Sequence, residues 1–260
     1  MIHPTAVVDR GAELASDVRV GPYSVIGPEV TVGAGAEIGA HAVLEGRVKV
    51  GARCRVGHGA IIGGVPQDLR FREGTPVGVS LGDDTVVREY VTIHRATHEG
   101  HDTTVGRHCL VMASSHIAHD CVLGSNIVMS NYTGLAGHVT VEDFAVFGAY
   151  AGIHQFACVG AYSMLAAGAK LRHDMPPYFM GDGAPVVVRM INKVGLERNG
   201  FTPEQLDRVK QIFRILYREG LNRSQALTKL REHPQAATEE FKHMLAFAQK
   251  TERGLAPGEG

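Results

Sequence analysis

The stretch VGPYSVIGPEVTVGAGAEIGAHAVL, Val20–Leu44, decides the fold. An aliphatic residue opens it and recurs at every sixth position: Val20, Ile26, Val32, Ile38 and Leu44. Backward, the same step lands on Leu14, Val8 and Ile2; forward, it lands on Val50, Val56 and Ile62. After an interruption it holds at Leu81, Val87 and Ile93, and is interrupted again. From Val105 it runs through Val111, Ile117, Leu123, Met129, Leu135, Val141, Phe147, Ile153, Val159 and Leu165 to Leu171. Two places before many of these stands a small residue, as at Ala6, Ala12, Ala36, Ala42, Ala60, Ala145 and Ala151.

A period of six is neither helical nor a simple alternating strand. It fits a mainly β fold, a parallel β-helix of hexapeptide repeats, each hexad giving a short strand and a turn. Three hexads close one triangular coil, so residues three hexads apart stack on neighbouring coils roughly 4.8 Å apart. The aliphatic side chains fill the prism, each contributing roughly 1.5–3 kcal/mol against the cost of ordering the backbone. Glycine follows the aliphatic position at Gly21, Gly27, Gly33, Gly39, Gly51 and Gly57. There it is expected to supply the freedom a tight corner needs.

The repeat is expected over residues 1–186, with insertion loops at 63–80 (GGVPQDLRFREGTPVGVS) and 94–104 (HRATHEGHDTT). Loops leaving one side of a rigid solenoid are where function concentrates. RHDMPPYFMGDGAP, residues 172–185, reads as a Pro- and Gly-rich linker. A C-terminal α-helical domain is expected over 187–260. Its first long helix has Thr202 as N-cap, Pro203 at the first helical position, Gln205 closing a capping box and Gly220 as C-cap. Its apolar face is Val209, Ile212, Phe213, Leu216 and Tyr217. Further helices are expected over 224–233 and 236–250, and around 191–198.

The chain has 260 residues, 44% apolar, and a formal net charge of −1, which argues against general nucleic-acid binding. Its four cysteines, Cys54, Cys109, Cys121 and Cys158, show no CxxC spacing and read as reduced thiols. The N-terminal residues do not read as a signal peptide, and no stretch is long and apolar enough to span a bilayer.

Coil arithmetic gathers polar residues. His119 stacks on Gly137 and then Gln155; Asp120 stacks on His138 and then Phe156; His116 stacks on Gly134 and Gly152. A patch of His116, His119, Asp120, His138, His154 and Gln155 therefore forms beside bare backbone at Gly137. A lone outward histidine, such as His98, His101 or His108, reads as solvated. His119 can exchange a proton near neutral pH, and a carboxylate can orient its ring. Asp120 adjoins it in sequence, so direct pairing requires a turn there. A glycine N–H one coil away can donate to an oxyanion. Ser114, Ser115 and Cys121 read as patterning, which leaves direct attack by a substrate hydroxyl or amine with His119 as general base.

HIAHDC, LAGHV, IHQF, PQDL, REYVTIHR, DMPPY and GLERNGF, at residues 116–201 and 66–95, together resemble the UDP-N-acetylglucosamine O-acyltransferases of lipid A synthesis. The resemblance spans essentially the whole chain. It implies a cytoplasmic homotrimer of left-handed parallel β-helices with active sites between subunits, no cofactor and no metal. It implies transfer of an R-3-hydroxyacyl chain from acyl carrier protein to the glucosamine 3-position of a UDP-sugar. It assigns His119 as general base, Asp120 as its carboxylate and Gly137 as the oxyanion donor. It places Asp68 at the sugar, with Arg70 where the common pattern has Lys. It lines the cleft with His116, His138, His154 and Gln155, and sets Asn192 and Arg198 near the nucleotide. Val194 and Asn199 stand where that pattern has Glu and Arg. Ala167 falls at the acyl-length ruler, where Gly permits a longer tail. Some members of the family use a 3-amino sugar instead. Basic residues of the tail, including Arg208, Arg214, Arg218 and Arg223, are expected to face an acidic carrier protein. Three other readings compete: a sibling N-acyltransferase, which carries a large extra N-terminal domain; a zinc enzyme of the γ-carbonic-anhydrase kind; and a non-catalytic solenoid scaffold.

Overall fold

The computed structural model describes residues 1–259. The chain winds through three parallel sheets in turn, and each strand pairs with those one coil before and after. Face 1 has nine strands, from Val7–Val8 through His116–Ile117 and Gly134–Leu135 to Lys170–Leu171. Face 2 has eight, from Glu13–Leu14 to Cys158–Val159. Face 3 has ten, from Arg19–Val20 through Met164–Leu165 to Val187–Ile191. The expected register holds: Val111 pairs with Met129, Ile117 with Leu135 and Leu135 with Ile153. From Val20 onward the six-step residues are buried, with Leu44, Ile62, Ile93, Phe147 and Leu165 fully so. Ile2, in the first coil described, is half exposed.

The position two before the aliphatic residue faces the inside of the corner. It holds Ala36, Ala42, Ala60, Ala145 and Ala151, all at most 1% exposed. It also holds Ser24, Cys54, Thr85, Cys109, Ser115, Cys121 and Thr133, whose side chains donate to backbone carbonyls of the turns. Three of the four cysteines are therefore small interior residues that also satisfy a buried carbonyl.

The glycines that follow the aliphatic position do not serve the role expected of them. Positive φ falls two residues later and is borne by side-chain residues, among them Tyr23, His41, Ser114, Asp120, Tyr132, His138, Tyr150 and Phe156. Gly21, Gly33, Gly39, Gly51 and Gly57 are absent from that set. A Cβ on any of them would lie 2.6–2.8 Å from backbone of the next coil. They are glycine because the coils approach too closely, not because the chain turns.

The excursions are shorter than 63–80 and 94–104. Ile61–Gly64 and Gly78–Leu81 are strands, as are Thr92–His94 and Asp102–Val105, so the ladder claims both ends of each insertion. Gly78–Leu81 pairs with Arg47–Val50 on one side and Asp102–Val105 on the other. Both excursions leave the same edge, between faces 1 and 2.

Residues 172–185 are not a linker. Asp174–Phe179 are buried, and Phe179–Asp182 adds to face 3 parallel to Met164–Leu165. Val187–Ile191 then pairs antiparallel with it, so the 186/187 boundary cuts a hairpin. The C-terminal tail returns to the solenoid through bridges of Leu255 to Asp174 and Gly258 to Val188. Apolar residues, Met175, Phe179, Val186 and Val188, plug the open top of the prism, and this burial overrides the local Pro and Gly signal.

The helices are α1 (Lys193–Arg198), α2 (Pro203–Tyr217), α3 (Arg223–Glu232) and α4 (Glu239–Lys250). Thr202 and Gln205 form the expected capping box, and Asn222 with Gln225 forms a second. Helix α2 ends with Arg218 as its cap; Gly220, two residues on, takes φ +66 in the following turn. Its buried side chains include Leu206 and Ile215 besides Val209 and Ile212, while Phe213, Leu216 and Tyr217 are half-buried. Residues 236–238 precede α4, which starts after Thr238.

Substituting Gly57→Ala separates the two explanations of these glycines. Its Cβ would sit 2.6 Å from the Arg88 carbonyl carbon, so a loss of about 1–3 kcal/mol is expected in urea melts. A neutral or stabilised variant would mean that the coils yield freely there.

Candidate active site

The edge between faces 1 and 2 carries the polar patch. Asp120 has φ 58, the left-handed corner conformation, and this supplies the turn that pairing with its neighbour requires. His119 Nδ1 lies 2.8 Å from Asp120 Oδ2. Asp120 also accepts from the Thr97 amide at 3.0 Å and the Thr97 hydroxyl at 2.6 Å. Its own N–H donates to Thr103 Oγ1 at 2.9 Å. Burial pushes the Asp120 carboxyl up; hydrogen bonds from Thr97 and His119 outweigh it and hold the group at about 2. An ionised carboxylate only accepts, so His119 Nδ1 carries the proton and Nε2 presents a lone pair.

One coil on, Gly137 underlies the His119 ring. A Cβ there would lie 2.5 Å from Cε1 and 2.7 Å from Nε2, so any other residue would displace the ring. His138 stacks on Phe156 at 4.5 Å between ring centroids and meets the His119 ring edge-on at 5.1 Å. On face 1, His116 pairs with Gly134, and Gly134 with Gly152. These glycines leave a bare floor to a cavity of about 460 Å³ that His116, His154, Lys170 and Arg172 help to enclose. His154 Nδ1 donates to the Gln155 carbonyl at 3.1 Å, and the Gln155 side chain is exposed. Asp68 and Arg70, on the first excursion at this same edge, form a two-point ion pair of 2.9 and 3.2 Å. Arg70, by side-chain and backbone hydrogen bonds, holds the Asp68 carboxyl at about 2.

The remaining expected residues lie elsewhere on the protomer. Asn192 is 4% exposed and structural: its Oδ1 caps α1 through the Gly195 N–H, and its Nδ2 donates to the Tyr162 carbonyl at 2.8 Å. Tyr162 sits at the edge between faces 2 and 3, and exposed Arg198 ends the helix that Asn192 caps. Ala167, exposed, lies at the edge between faces 3 and 1. Among the expected docking arginines, Arg208 is spent on buried Glu240 at 2.7 Å and Arg223 on the Ala248 carbonyl at 3.1 Å. A cavity of about 870 Å³ at the N-terminal end of face 3 contains none of these residues.

Sequence reasoning missed His94, Thr92 and Thr97. His116 Nδ1 is 2.7 Å from Thr92 Oγ1, and its ring meets His94 edge-on at 4.8 Å. The spacing between these coils is 24 residues, not 18, because the second excursion intervenes. The six-step series resuming at Val105 already implied Ile93 beneath Ile117, and so Thr92 beneath His116. Burial, reinforced by His116 and His119, drives His94 down to about 4; burial likewise lowers His116 and His138. Burial pushes the Cys121 thiol up to about 12, so it is no nucleophile. Among the described residues, His98, His101 and Asp120 form one group whose ligand atoms lie within 4.8 Å of one another, and His119, Asp120 and His138 form another.

Residues 174–256 match the family model described as UDP-N-acetylglucosamine O-acyltransferase, domain 2, and residues 11–46 match bacterial transferase hexapeptide, six repeats. An acyl-[acyl-carrier-protein]–UDP-N-acetylglucosamine O-acyltransferase of Stenotrophomonas maltophilia (strain R551-3) is 42% identical over 98% of this chain and 97% of its own. The protein of the same name from Thiobacillus denitrificans is 43% identical over 98% of each. The solved structure of the Francisella novicida UDP-N-acetylglucosamine acyltransferase superposes with a TM-score of 0.96 at 34% identity, covering 100% of this chain and 95% of that one.

The His94 environment predicts an acid-sensitive fold. Unfolded, the imidazole protonates near 6.5; folded, near 4. As pH falls from 6.5 toward 4, the unfolded chain gains a proton that the folded chain refuses, and stability drops, by about 3 kcal/mol at most. His94→Asn should flatten this decline in denaturant melts at closely spaced pH values. An unaltered slope would mean the folded imidazole accepts the proton freely.

Proposed function

The chain belongs to the UDP-N-acetylglucosamine O-acyltransferase family, and from this premise we propose how its site works. The enzyme transfers an acyl chain from acyl carrier protein to UDP-N-acetylglucosamine. The acceptor 3-hydroxyl, or the 3-amino group of an analogue, approaches His119 Nε2. As its oxygen or nitrogen bonds to the thioester carbonyl carbon of an R-3-hydroxyacyl donor, Nε2 takes its proton. Asp120, ionised, stabilises the imidazolium. The carbonyl oxygen gains negative charge and accepts from the Gly137 N–H, which makes no hydrogen bond among the described residues. Collapse breaks the carbon–sulfur bond, and the departing thiolate recovers the proton from Nε2. Asp68 and Arg70 hold the sugar; His116, His138, His154 and Gln155 line its cleft. The observation that carries this reading is the His119 ring, paired with Asp120 at 2.8 Å and lying against Gly137.

The assembly we propose is a homotrimer with sites between subunits. Its support is geometric: one protomer spreads the expected residues over three prism edges, so a neighbour's edge must supply Asn192, Arg198 or Ala167. Helices α1 to α4, residues 193–250, carry the proposed docking surface for the acidic carrier, with Arg198, Arg214 and Arg231 unclaimed by buried partners. No helix among the described residues is long and apolar enough to cross a membrane; the proposed location is the cytoplasm, at the first step of lipid A synthesis.

Replacing His119→Ala should lower acyl transfer by about 10²-fold or more without loss of fold; unchanged turnover would leave a scaffold. Side-by-side assays with 3-hydroxy and 3-amino sugar nucleotides and donors of graded length should identify the acceptor. In those assays Ala167→Gly should move the optimum toward longer chains, and an unmoved optimum removes Ala167 as the ruler.

A further inference from the structure

The second excursion carries a cluster that the reaction above does not use. His101 N–H donates to the His98 carbonyl at 3.0 Å, closing a turn in which Gly100 takes φ +77. The turn puts both imidazoles on one side, their ring centroids 6.1 Å apart. They face Asp120 across a cavity of about 380 Å³ bounded also by Asp102, Val122 and His138. Asp102 is held by Arg47 and is unavailable. Asp120 Oδ2 is taken by His119 and the Thr97 hydroxyl, whereas Oδ1 has one donor, the Thr97 amide, and lies 3.5 Å from His98 Nδ1. Neighbouring ligands of a tetrahedral zinc ion, with bonds of about 2.0–2.1 Å, are roughly 3.4 Å apart.

We propose that His98, His101 and Asp120 Oδ1 form a site for a zinc-class divalent ion, and that filling it slows acyl transfer. The proposal rests on the reading of Asp120 as the carboxylate that orients His119. Two imidazoles and a carboxylate form a three-ligand set suited to zinc, and the fourth position is open to water. The two imidazoles are on an exposed turn, where His98 Nδ1 lies 3.0 Å from the Thr97 hydroxyl, a contact the ion would replace, while Asp120 is fixed by Thr97. A metal-bound carboxylate accepts more weakly from His119 Nδ1, and the ion's charge opposes formation of the imidazolium. The site therefore couples metal to proton transfer through one shared side chain.

The test uses the full chain, stripped with a chelator. Zinc titrated calorimetrically should bind once per chain, and cobalt(II) should give the intense visible absorption of a tetrahedral site. The double substitution His98→Ala/His101→Ala should weaken zinc by more than the roughly 10–100-fold that outer-shell partners alone are worth. It should abolish the cobalt signal, leave the metal-free rate unchanged and remove zinc inhibition. Zinc held equally well by the double variant would place the ion on His119 and His138 and overturn the proposal, as would stoichiometric zinc that leaves the wild-type rate unaltered. Absence of transfer in the metal-free wild type would refute the enzyme reading instead, while the calorimetric and cobalt readouts still decide the metal site.

Discussion

The parallel ladder between coils is the constraint on which the rest depends. Each coil bonds to the next in a fixed register, so a side chain's neighbours are set by counting along the chain. His119 lies over Gly137 because Ile117 pairs with Leu135. A slip of one residue would turn the aliphatic row outward and the imidazoles into the prism, at a cost spread over the whole buried row. The core thus enforces the geometry of the site, and its Leu135, Ile153 and Leu171 also line the cavity beside His116. Such a frame suits catalysis by positioning, because the groups to be held a few ångströms apart stand on the stiffest direction of the fold.

The corner conformation is the second half of that frame. His119 and Gln155 each adjoin a left-handed corner residue, Asp120 and Phe156. Asp120 and His138 occupy that conformation themselves, where glycine would be the easier choice. The strain is repaid by the ladder on either side. In exchange, adjacent residues such as His119 and Asp120 face the same way, which a flat strand forbids. Around this pair the other imidazoles are held neutral by burial: His94, His116 and His138 are all lowered. In the proposed transfer, the positive charge gained by His119 would therefore meet one ionised partner, Asp120, and no competing cation among these rings.

Much of this was legible in the sequence because the repeat is strict. The faces, the inward residues and the stack of His119 on Gly137 all follow from a step of six. What escaped did so for physical reasons. The glycines after Val20, Val32, Ile38, Val50 and Val56 resemble turn formers in sequence, yet contact with the next coil, invisible in a single strand's conformation, is what excludes a side chain. His94 and Thr97 were hidden by an excursion that lengthens the count between coils. The 172–185 segment looked like a linker because Pro and Gly are local signals, whereas its burial comes from capping the prism. Asn192 was assigned to a ligand by resemblance; its position as an N-cap makes it a structural residue of this protomer as well.

The division of the site among edges follows from the same architecture. A straight prism is convex everywhere, so its walls alone cannot enclose two long groups, the nucleotide of the acceptor and the acyl chain of the donor. The excursions at 65–77 and 95–101 raise one wall beside His119, and the glycines at 134 and 152 lower the floor of face 1. In the proposed assembly a second wall comes from a neighbouring protomer. The apolar outward column of face 3, Val86, Leu110, Val128, Val146 and Met164, is half-buried and unbroken by charge, a surface that favours contact with another copy over water. It ends near Ala167, at the edge opposite the histidines. In the proposed trimer, the neighbour that brings the missing wall would also bring the acyl-length residue, so the depth of the cleft would be set by how two rigid prisms meet and not by any flexible loop.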